Sequence, residues 1–593
     1  MLSVHKIHCD LCVVGGGIAG MCTAISAARM GIKTVLMQER PVLGGNASSE
    51  IRMWISGAHG SNNRETGIIE EISLENLYRN PTKSYAVWDS ILYSFIRREK
   101  NIELLLNCTC MDAETETGEF RHGRDIRIKS VTGYQMTTQT KFEVHAGFYA
   151  DCSGDSILAP LTGAKFRCGR EAAEEFGEIT ITTTADRKTM GMSCLIQGRE
   201  TDQPIRFNPP EWSTHLSGKD FENREPDIYN DDENFWYLEL GGNRDSIADT
   251  EKVRDELLSL AVGTWDYVKN SGNFRSENWD LEFLGFLPGK RESRRMVGEY
   301  ILTQQDISSG KVFEDEVAFG GWPLDDHYPD GFFHRGVPNT DYHTPAPYSI
   351  PYRSLYSRNV DNLFFAGRNI STSHMALSST RVMATCALLG EAVGRAAALS
   401  VKYQCSPHDI TTDHLSELQE SLMAGDCFLP SKKRHIPEAC ASAVLSGASD
   451  VIRNGQDRPH TIYGTTEETA AAYIEPGSSI LYRFPEQEVH NIHIVFSSDL
   501  DRTSLNGSET ERTQPTRSNY RLDHPQQPMP AGLCREFLLT GTRGGKEKEI
   551  MHVFENHKRC YDIALQEVFD SLKLTPVVSW GRSDVPVISF DFR

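Results

Sequence analysis

The stretch CVVGGGIAGMCTAISAARMGIKTVLMQER, residues 12–40, decides the fold of this chain. Its glycines Gly15, Gly17 and Gly20 form the pattern G-x-G-x-x-G. Residues 11–14 before them are typical of a β-strand, and the alanine-rich residues 18–30 are typical of a helix that ends before Gly31. Residues 32–37 are again of β type and lead to Glu39. This order predicts a βαβ unit that binds a dinucleotide.

Each element of the pattern has a physical reason. Gly15 permits the tight turn out of the strand, and Gly17 lets backbone N–H groups approach a pyrophosphate. Gly20 allows the helix to pack closely on the sheet. The N-terminus of that helix offers unpaired donors and a positive dipole end to phosphate groups. The carboxylate of Glu39 can accept hydrogen bonds from a ribose.

Composition excludes several other classes. A signal peptide would need a basic leader and a small-residue cleavage site, and a membrane-spanning helix would need about 20 apolar residues without a glycine cluster. The chain has 593 residues, of which 39% are hydrophobic, and its 61 basic and 82 acidic side chains give a net charge of −21. Without a basic stripe, nucleic acid and anionic membranes are not expected partners.

The cysteines predict free thiols. Cys9 and Cys12 lie in an extended segment, where residues three apart are separated by about 10 Å, too far for a disulfide. None of the spacings among the 14 cysteines matches a zinc or iron–sulfur site, so no metal is expected. Buried thiols in a reducing cytoplasm are the predicted state.

The order of β-type and helical segments predicts an α/β fold with five regions. The first part of the dinucleotide domain covers residues 1–165, a substrate or cap region of α+β type covers 166–350, and the second part of the dinucleotide domain covers 351–403. A helical linker region is expected at 404–465, and a C-terminal β-sandwich of jelly-roll type at 466–593. The polar loop at 504–530 is predicted to be exposed.

Three further motifs resemble the FAD-dependent oxidoreductases of the glutathione-reductase type. They are LGG at 43–45, DCSGD at 151–155 and NLFFAGR at 362–368. The resemblance covers about 200 residues and implies that the chain leaves the FAD domain to build the substrate region and returns to complete the flavin pocket. The segments AGRNIS, RVMATCALLGEAVG, GGNASSEIRMWISGAHG and RESRRMVGEYILTQQD also resemble a bacterial family of FAD-dependent oxidoreductases whose substrates are often unknown. The closing β segments weakly resemble galactose-binding-like jelly rolls.

The sequence departs from these relatives in informative ways. Arg368 stands where the broader architecture carries an aspartate that holds the ribitol, so this contact must come from elsewhere. No second G-x-G-x-x-G follows a strand, which argues against a built-in NAD(P)H domain. No cysteine pair follows the LGG loop, as it does in disulfide reductases. Electrons are therefore expected to pass between the flavin, a substrate and a separate acceptor.

The expected FAD-binding residues come from the glycine turn, from the motifs of the resemblance and from the helix that opens near residue 381, whose N–H groups and dipole could face the flavin pyrimidine. They are Gly15, Gly17, Ile18, Ala19, Gly20, Glu39, Arg40, Gly44, Gly45, Asn46, Ser48, Ser153, Gly154, Gly367, Arg368, Arg381, Val382 and Met383.

Two histidines are candidate catalysts. His374 is expected in a loop between the strand that ends at Gly367 and the following helix, where it could exchange protons near the flavin. A structural histidine bonded to the backbone is the alternative. His59 is the second candidate. Arg52, Arg64 and Arg294 are candidate substrate residues, with ordinary ion pairs as the alternative. Among the tryptophans, Trp212, Trp236, Trp265, Trp279 and Trp322 are expected mainly in the core.

The predicted function is the transfer of hydride between a small polar, carbohydrate-like substrate and N5 of FAD. Two alternatives stay open. One is a flavoprotein that acts on a macromolecule such as tRNA, against which the acidic composition argues. The other is a lyase or isomerase in which FAD is structural. An oligomer is compatible with the sequence.

Overall fold

The computed structural model describes residues 3–178, 184–230, 233–458, 460–462, 465–467, 471–502 and 516–593. Its first region contains the predicted βαβ unit followed by two helices and a β-meander. The bounds are β1 (Ser3–Val14), α1 (Ile18–Arg29), β2 (Thr34–Met37), α2 (Ile68–Arg79), α3 (Tyr85–Arg98), β3 (Ile102–Leu105), β4 (Cys108–Thr117), β5 (Ile126–Gln135), β6 (Thr140–Asp151) and α4 (Leu158–Thr162).

The middle region is built from short strands around one long helix. Its elements are β7 (Phe166–Arg167), α5 (Ala173–Phe176), β8 (Met192–Ser193), β9 (Ile196–Glu200), β10 (Glu239–Leu240), α6 (Thr250–Asn270), β11 (Trp279–Leu284), β12 (Gly289–Lys290), β13 (Arg295–Met296), α7 (Gln304–Ser308), β14 (Glu316–Gly320), β15 (Leu324–His327), β16 (Asn339–Tyr342) and β17 (Tyr348–Pro351). The buried face of α6 contributes Val253, Leu257 and Trp265 to a separate hydrophobic core.

The chain then returns to the first sheet through β18 (Leu363–Phe365), α8 (His374–Thr380) and α9 (Met383–Tyr403), followed by α10 (Pro407–Asp413), α11 (Leu415–Ala424) and α12 (Glu438–Ala441). The sheet has the order β3-β2-β1-β6-β5-β4, and β18 pairs with β6. β3, β2, β1, β6 and β18 run parallel, whereas β5 and β4 are antiparallel additions. The sheet is therefore completed by a strand more than 200 residues later in the sequence.

Helix α9 is the core helix of this region. A Cβ atom at Gly390 would lie 2.2 Å from the carbonyl oxygen of Ala19, so glycine is what lets α9 pack directly against α1. Among the described residues, α9 alone is long and apolar enough to cross a membrane, and 89% of its apolar window is buried inside the protein. A helix buried in this way is typical of a protein core.

The C-terminal region is all-β, as predicted. Its strands are β19 (Val444–Ser446), β20 (His460–Ile462), β21 (Thr465–Glu467), β22 (Ala472–Ile474), β23 (Ile480–Phe496), β24 (Cys534–Arg543), β25 (Lys546–Val553), β26 (Cys560–Ser579) and β27 (Val585–Phe592). Seven of them are linked in the order β22-β27-β23-β26-β24-β25, with β19 on β23. The jelly-roll sandwich stays a prediction.

Two expectations for this end of the chain need correction. β19 belongs to the C-terminal sheet, so residues 404–465 are more than a helical linker. Of the loop predicted to be exposed at 504–530, residues 504–515 lie outside the described residues, and residues 520–529 are exposed or half-buried as predicted, but residues 516–519 are buried. They are buried because Asn519 accepts a hydrogen bond from the Gly198 backbone N–H at 2.9 Å and donates to carbonyl oxygens of the middle region.

Candidate functional site

A cavity of about 620 Å³ runs from the glycine turn to the β15–β16 hairpin. One half lies over the N-terminus of α1 and the ends of β1, β2 and β6, and we call it the inner half. It is lined by Val14, Gly15, Gly17, Ile18, Ala19, Met37, Gln38, Glu39, Arg40, Gly44, Gly45, Cys108, Thr109, Cys110, Cys152, Ser153 and Gly154. The outer half is lined by Met53, Trp54, Ser56, His59, Trp236, Arg291, Arg294, Trp322, Asp325, His327, Asn339, Asp341 and Arg381.

The glycine turn shows which of its glycines the fold requires. Gly15 has φ +106°, and a Cβ atom there would lie 2.4 Å from the carbonyl oxygen of Cys152. A Cβ atom at Gly20 would lie 1.8 Å from the carbonyl oxygen of Gly15. Gly20 does not line the cavity. Its role is therefore the close packing of α1, and it is not a direct contact to the cofactor.

Gly17 is different because protein contacts do not explain it. Its φ of −67° suits any residue, and the nearest atom to an added Cβ would be the Cα of Gly45 at 3.8 Å. The space that the Cβ would fill belongs to the cavity. Gly17 caps α1 without a side-chain hydrogen bond, so the first N–H groups of the helix are available to a ligand. This turn fits the pyrophosphate of a dinucleotide.

The end of β2 supplies the predicted acid. Gln38 accepts a hydrogen bond from the Gly16 backbone N–H at 2.8 Å and so ties the strand end to the turn. The side chain of Glu39 is 63% exposed and lines the cavity, where its oxygens can accept from a ribose. Arg40 lies beside it, and its Nη1 is 3.3 Å from Glu50 Oε2 in an ion pair.

Arg368 forms an ion pair with Asp155, which lies more than 200 residues earlier in the sequence, after β6. Its Nη2 donates to Asp155 Oδ1 at 2.7 Å, and Lys290 donates to Asp155 Oδ2 at 2.8 Å. Burial would raise the pKa of Asp155, but these two cations outweigh it and lower the pKa to about 2. The buried Arg368 Nε has no hydrogen-bond partner in the described part of the protein. Arg368 itself lines the cavity.

The helix predicted to open near residue 381 is α9, which starts at Met383 after the extended residue Val382. Arg381, Val382 and Met383 all line the cavity, and the helix has no side-chain cap. Arg381 Nη2 donates to Asp325 Oδ2 at 2.8 Å. The dipole and the N–H groups of this end are thus placed at the junction of the two halves of the cavity.

Most of the other expected cofactor residues also line the cavity: Ile18, Ala19, Gly44, Gly45, Asn46, Ser153, Gly154 and Gly367. Asn46 donates its side-chain N–H to the carbonyl oxygen of Lys290 at 3.1 Å. Ser48 is the exception besides Gly20, because it is fully buried and lies off the cavity.

Three tryptophans form the apolar part of the outer half. Trp236 and Trp322 line the cavity, contrary to the expectation of core positions, and Trp54 joins them. Trp265 and Trp279 are core residues as expected, whereas Trp212 is 55% exposed. His59 packs edge-on against Trp322 with ring centroids 4.7 Å apart, and it also lines the cavity.

The polar part of the outer half comes from the β15–β16 hairpin. The strands pair antiparallel with Asp325 opposite Asp341 and His327 opposite Asn339, which puts all four side chains on the face toward the cavity. His327 contacts Glu239 Oε2 at 2.6 Å and Asp325 Oδ1 at 3.3 Å. Burial would lower the pKa of His327, but these carboxylates outweigh it and raise the pKa above its ordinary value.

The prediction that His374 is a catalytic base in a loop is wrong in its geometry. His374 is the first residue of α8, is 3% exposed and does not line the cavity. Its Nδ1 contacts Glu292 at 3.0 Å and its Nε2 contacts Asp326 at 3.1 Å. Burial would lower the pKa of His374, but the two carboxylates raise it to about 10. A buried imidazolium of this kind cannot accept a proton near neutral pH.

Two of the three arginines proposed for the substrate also lie off the cavity. Arg52 stacks on Tyr85 and Phe283 and donates to Gln197 at 2.9 Å, and Arg64 pairs with Glu70 at 3.1 Å. Arg294 does line the cavity. The ion-pair alternative therefore describes Arg64, whereas Arg294 stays a substrate candidate.

Sequence reasoning missed the hairpin residues. The segments LDDH at 324–327 and NTDY at 339–342 alternate polar side chains in a way that places Asp325 with His327, and Asn339 with Asp341, on one face of each strand. That alternation was the available signal. Four-residue strands with many polar side chains are not recognisable as strands without their partner.

Comparisons with known proteins agree with this site at the level of the family. A family model described as FAD dependent oxidoreductase matches residues 10–422. A search of curated proteins finds no match.

Solved structures that resemble the chain do so at low scores. A geranylgeranyl bacteriochlorophyll reductase-like protein from Thermoplasma acidophilum is 11% identical with TM-score 0.30, covering 71% of this chain and 86% of that one. The p-nitrophenol 4-monooxygenase PnpA from Pseudomonas putida DLL-E4 has the same values of 11%, 0.30, 71% and 86%. The family 32 carbohydrate-binding module of NanJ from C. perfringens is 9% identical with TM-score 0.16, covering 26% of this chain and 91% of that one. Likeness at these scores assigns no substrate.

Proposed function

This chain belongs to the FAD-dependent oxidoreductases, and on that premise we propose that it transfers hydride between a small polar substrate and FAD, with a separate acceptor for the electrons. FAD supplies the hydride-accepting or hydride-donating atom of this chemistry when it is bound. The cofactor follows from the family, whereas the substrate and the acceptor are part of the proposal.

The single observation that carries the proposal is the continuity of the cavity. Its inner half has the open glycine turn and Glu39, which suit the pyrophosphate and a ribose. Its outer half has tryptophans beside a fixed group of charged side chains and is directly connected to the inner half. A small substrate in the outer half would therefore lie next to the reactive end of a cofactor that enters from the inner half.

The chain's own residues have distinct roles in this proposal. Gly17 and the N-terminus of α1 bind the pyrophosphate, and Glu39 binds the adenosine ribose. Arg368, oriented by Asp155, donates to an acceptor group of the cofactor, and the N-terminus of α9 faces the flavin pyrimidine. This division is the two-part FAD domain of the glutathione-reductase type, which the return of the chain through β18 supports.

A carbohydrate-like substrate is the proposed class. Trp54, Trp236 and Trp322 provide flat apolar surfaces, and Asp341 and Asn339 provide hydrogen-bonding groups at the edge of the same cavity. His59, which packs against Trp322, would contact the substrate beside that ring. The galactose-binding-like character of the C-terminal region belongs to the same proposal and rests on its closing β segments.

The proposal also covers the cellular compartment and the partners of the protein. Ten of the 14 cysteines are buried and all 14 are free, which suits the reducing cytoplasm. The net charge of −21 makes nucleic acid and anionic membranes unsuitable partners. A homo-oligomer is compatible with this setting.

The test is a screen for flavin reduction without oxygen. The purified protein is mixed anaerobically with sugars, uronic acids, hydroxy acids and amino acids, and the flavin absorbance is followed. We expect at least one compound of this panel to bleach the flavin, and air to restore the colour. A protein that holds FAD yet is bleached by none of these compounds, while dithionite bleaches it fully, would contradict the proposed function.

A further inference from the structure

Two carboxylates face each other across the β15–β16 hairpin. Asp325 and Asp341 are direct cross-strand partners, and both side chains line the outer half of the cavity. Like charges in this position destabilise a strand pair. This repulsion between Asp325 and Asp341 occurs at the wall of the cavity. A destabilising contact at such a position is typical of a functional site.

The two carboxylates have very different surroundings. Asp325 is 8% exposed and lies within ion-pair distance of Arg381 at 2.8 Å and His327 at 3.3 Å. It also accepts from the Asn339 side chain at 2.6 Å and from the Trp322 indole at 3.3 Å. These contacts fix Asp325 in its ionised form, so it serves as a permanent negative charge.

Asp341 is exposed to the cavity and forms no ion pair with the described residues. Its hydrogen bond there comes from Asn339, which donates to Asp341 Oδ1 at 3.2 Å and to Asp325 at the same time. Partial burial and the charge of Asp325 raise the pKa of Asp341 to about 6, against the opposing effect of His327 and Arg381. A carboxylate of this basicity, facing a cavity, suits proton exchange near neutral pH.

The rest of the wall is predominantly cationic. Three carboxylates line this part of the cavity between Asp155 and Arg381, and the buried carboxylate of Glu239 contacts Arg291 and His327 from behind the wall. They stand against six basic side chains, namely Lys290, Arg291, Arg294, His327, Arg368 and Arg381. A substrate ammonium group would be repelled by this excess of positive charge. A hydroxyl group that loses its proton gains negative charge, which the same cations stabilise.

We propose that the substrate of this site is an alcohol and that Asp341 accepts the proton of its hydroxyl group. This inference rests on the proposed function and names its substrate class. In the oxidation, the hydroxyl O–H bond breaks and its proton passes to Asp341, while the adjacent C–H bond breaks and its hydrogen leaves with both electrons for the oxidised FAD. The alcohol carbon becomes a carbonyl carbon, and the substrate loses two electrons that the cofactor gains.

The experiment uses the full-length FAD-loaded protein and pairs of compounds that differ in one group, such as galactose with galactosamine and lactate with alanine. For the compound that bleaches the flavin, anaerobic stopped-flow measurements give the reduction rate constant between pH 5 and 9 in the wild type, Asp341→Asn and Asp341→Glu. The matched control is Asp330→Asn, an exposed aspartate in the loop of the same hairpin that does not line the cavity.

We expect the hydroxyl member of a pair to be the reductant. The wild-type rate constant should rise with pH through a midpoint near 6, as Asp341 ionises. Asp341→Asn should lower it by on the order of 100-fold or more and abolish this midpoint, while Asp341→Glu retains part of the rate and FAD affinity stays unchanged. Asp330→Asn should behave as the wild type.

Two results would overturn the inference while leaving the proposed function intact. One is reduction of the flavin by the amine members with no reaction of the hydroxyl members. The other is an unchanged rate constant and pH profile in Asp341→Asn. Infrared titration of the protonated carboxyl band supplies a readout that needs no substrate. If the wild type minus Asp341→Asn spectrum contains no carboxyl group that titrates near pH 6, Asp341 is not the proton acceptor, whatever the compound panel shows.

Discussion

At the scale of single residues, Gly17 separates cofactor binding from folding. Because a Cβ atom at this position meets only Gly45 Cα at 3.8 Å, Gly17→Ala should change the free energy of unfolding of the FAD-free protein by less than about 1 kcal/mol. The same methyl group would enter the space of the pyrophosphate. We expect the dissociation constant of FAD, measured by fluorescence, to rise by at least about 10-fold, which corresponds to 1.4 kcal/mol.

The matched control is Gly20→Ala, three residues further along the same turn. Its Cβ atom would lie 1.8 Å from the Gly15 carbonyl oxygen, so the turn has to shift. Thermal unfolding of the FAD-free protein should show a loss of about 1–3 kcal/mol. If Gly17→Ala destabilised the FAD-free protein as much as Gly20→Ala, the glycine at position 17 would be a requirement of the fold.

His374 makes a prediction about stability. Its removal leaves Asp326 buried without its cation and takes one of two cations from Glu292, which keeps Arg295 at 2.6 Å, so His374→Ala should lower the free energy of unfolding by about 3–5 kcal/mol. The folded-state pKa of about 10 lies above the unfolded value of 6.5, so the contribution is complete below pH 6.5 and is lost as the pH rises toward 10. Urea unfolding of the wild type and His374→Ala at several pH values measures this difference. A difference that grows with pH would contradict the assignment of a buried imidazolium.

The same residue shows the limit of sequence reasoning about the site. A histidine after the AGR strand is compatible with a loop over the flavin and with a buried ion pair, and its sequence neighbours do not distinguish them. The deciding partners, Glu292 and Asp326, are 82 and 48 residues away along the chain. The glycine turn, by contrast, is a local motif whose geometry follows from adjacent residues, so its position was predictable.

At the scale of elements, the segment at 516–519 joins the C-terminal region to the wall that carries the outer half of the cavity. Asn519 is fully buried and holds Gly198 and the carbonyl oxygens of Asp227 and Asn230. Ser518 accepts from the Trp54 indole at 2.8 Å, and Trp54 lines the cavity. This four-residue part of a loop that its polar composition predicts to be exposed is therefore buried, because its polar groups are satisfied across a contact that is distant in sequence.

Asn519→Ala removes one acceptor and two donated hydrogen bonds and leaves buried backbone groups unsatisfied. We expect the free energy of unfolding to fall by about 1–3 kcal/mol in urea. Gln203→Ala, at an exposed position of the same neighbourhood, is the control and should change it by less than about 0.5 kcal/mol. Equal effects of the two substitutions would mean that the buried contact contributes no stability.

At the scale of the whole molecule, the sequence predicts classes of structure better than boundaries. Local periodicity predicts the βαβ unit and the amphipathic helix α6. Short segments of β type predict the all-β C-terminal region. The pairing of β18 with β6, and of β19 with β23, depends on contacts between distant segments. Periodicity does not show which strands pair with each other. For this reason β19 was included in the predicted linker at 404–465, although it pairs with β23 of the C-terminal sheet.

The boundary of the C-terminal region yields the last prediction. Residues 431–465 contribute the edge strand β19 and the buried side chains of Cys440, Ala443 and Ile452 to its core. Arg434 also pairs with Asp591 of β27 at 2.6 Å, and both side chains are nearly fully buried. A fragment of residues 466–593 lacks this arginine and leaves Asp591 as an unpaired buried charge, which is strongly destabilising.

We therefore expect the fragment of residues 466–593 to show no cooperative urea transition by circular dichroism, whereas a fragment of residues 431–593 unfolds cooperatively. Substituting Arg434→Met in the longer fragment should remove about 3–5 kcal/mol, since it breaks the buried pair while retaining every strand. Cooperative unfolding of both fragments at the same urea midpoint would show that the region begins near residue 466 and that its contacts with 431–465 are a docking surface between two independently stable units.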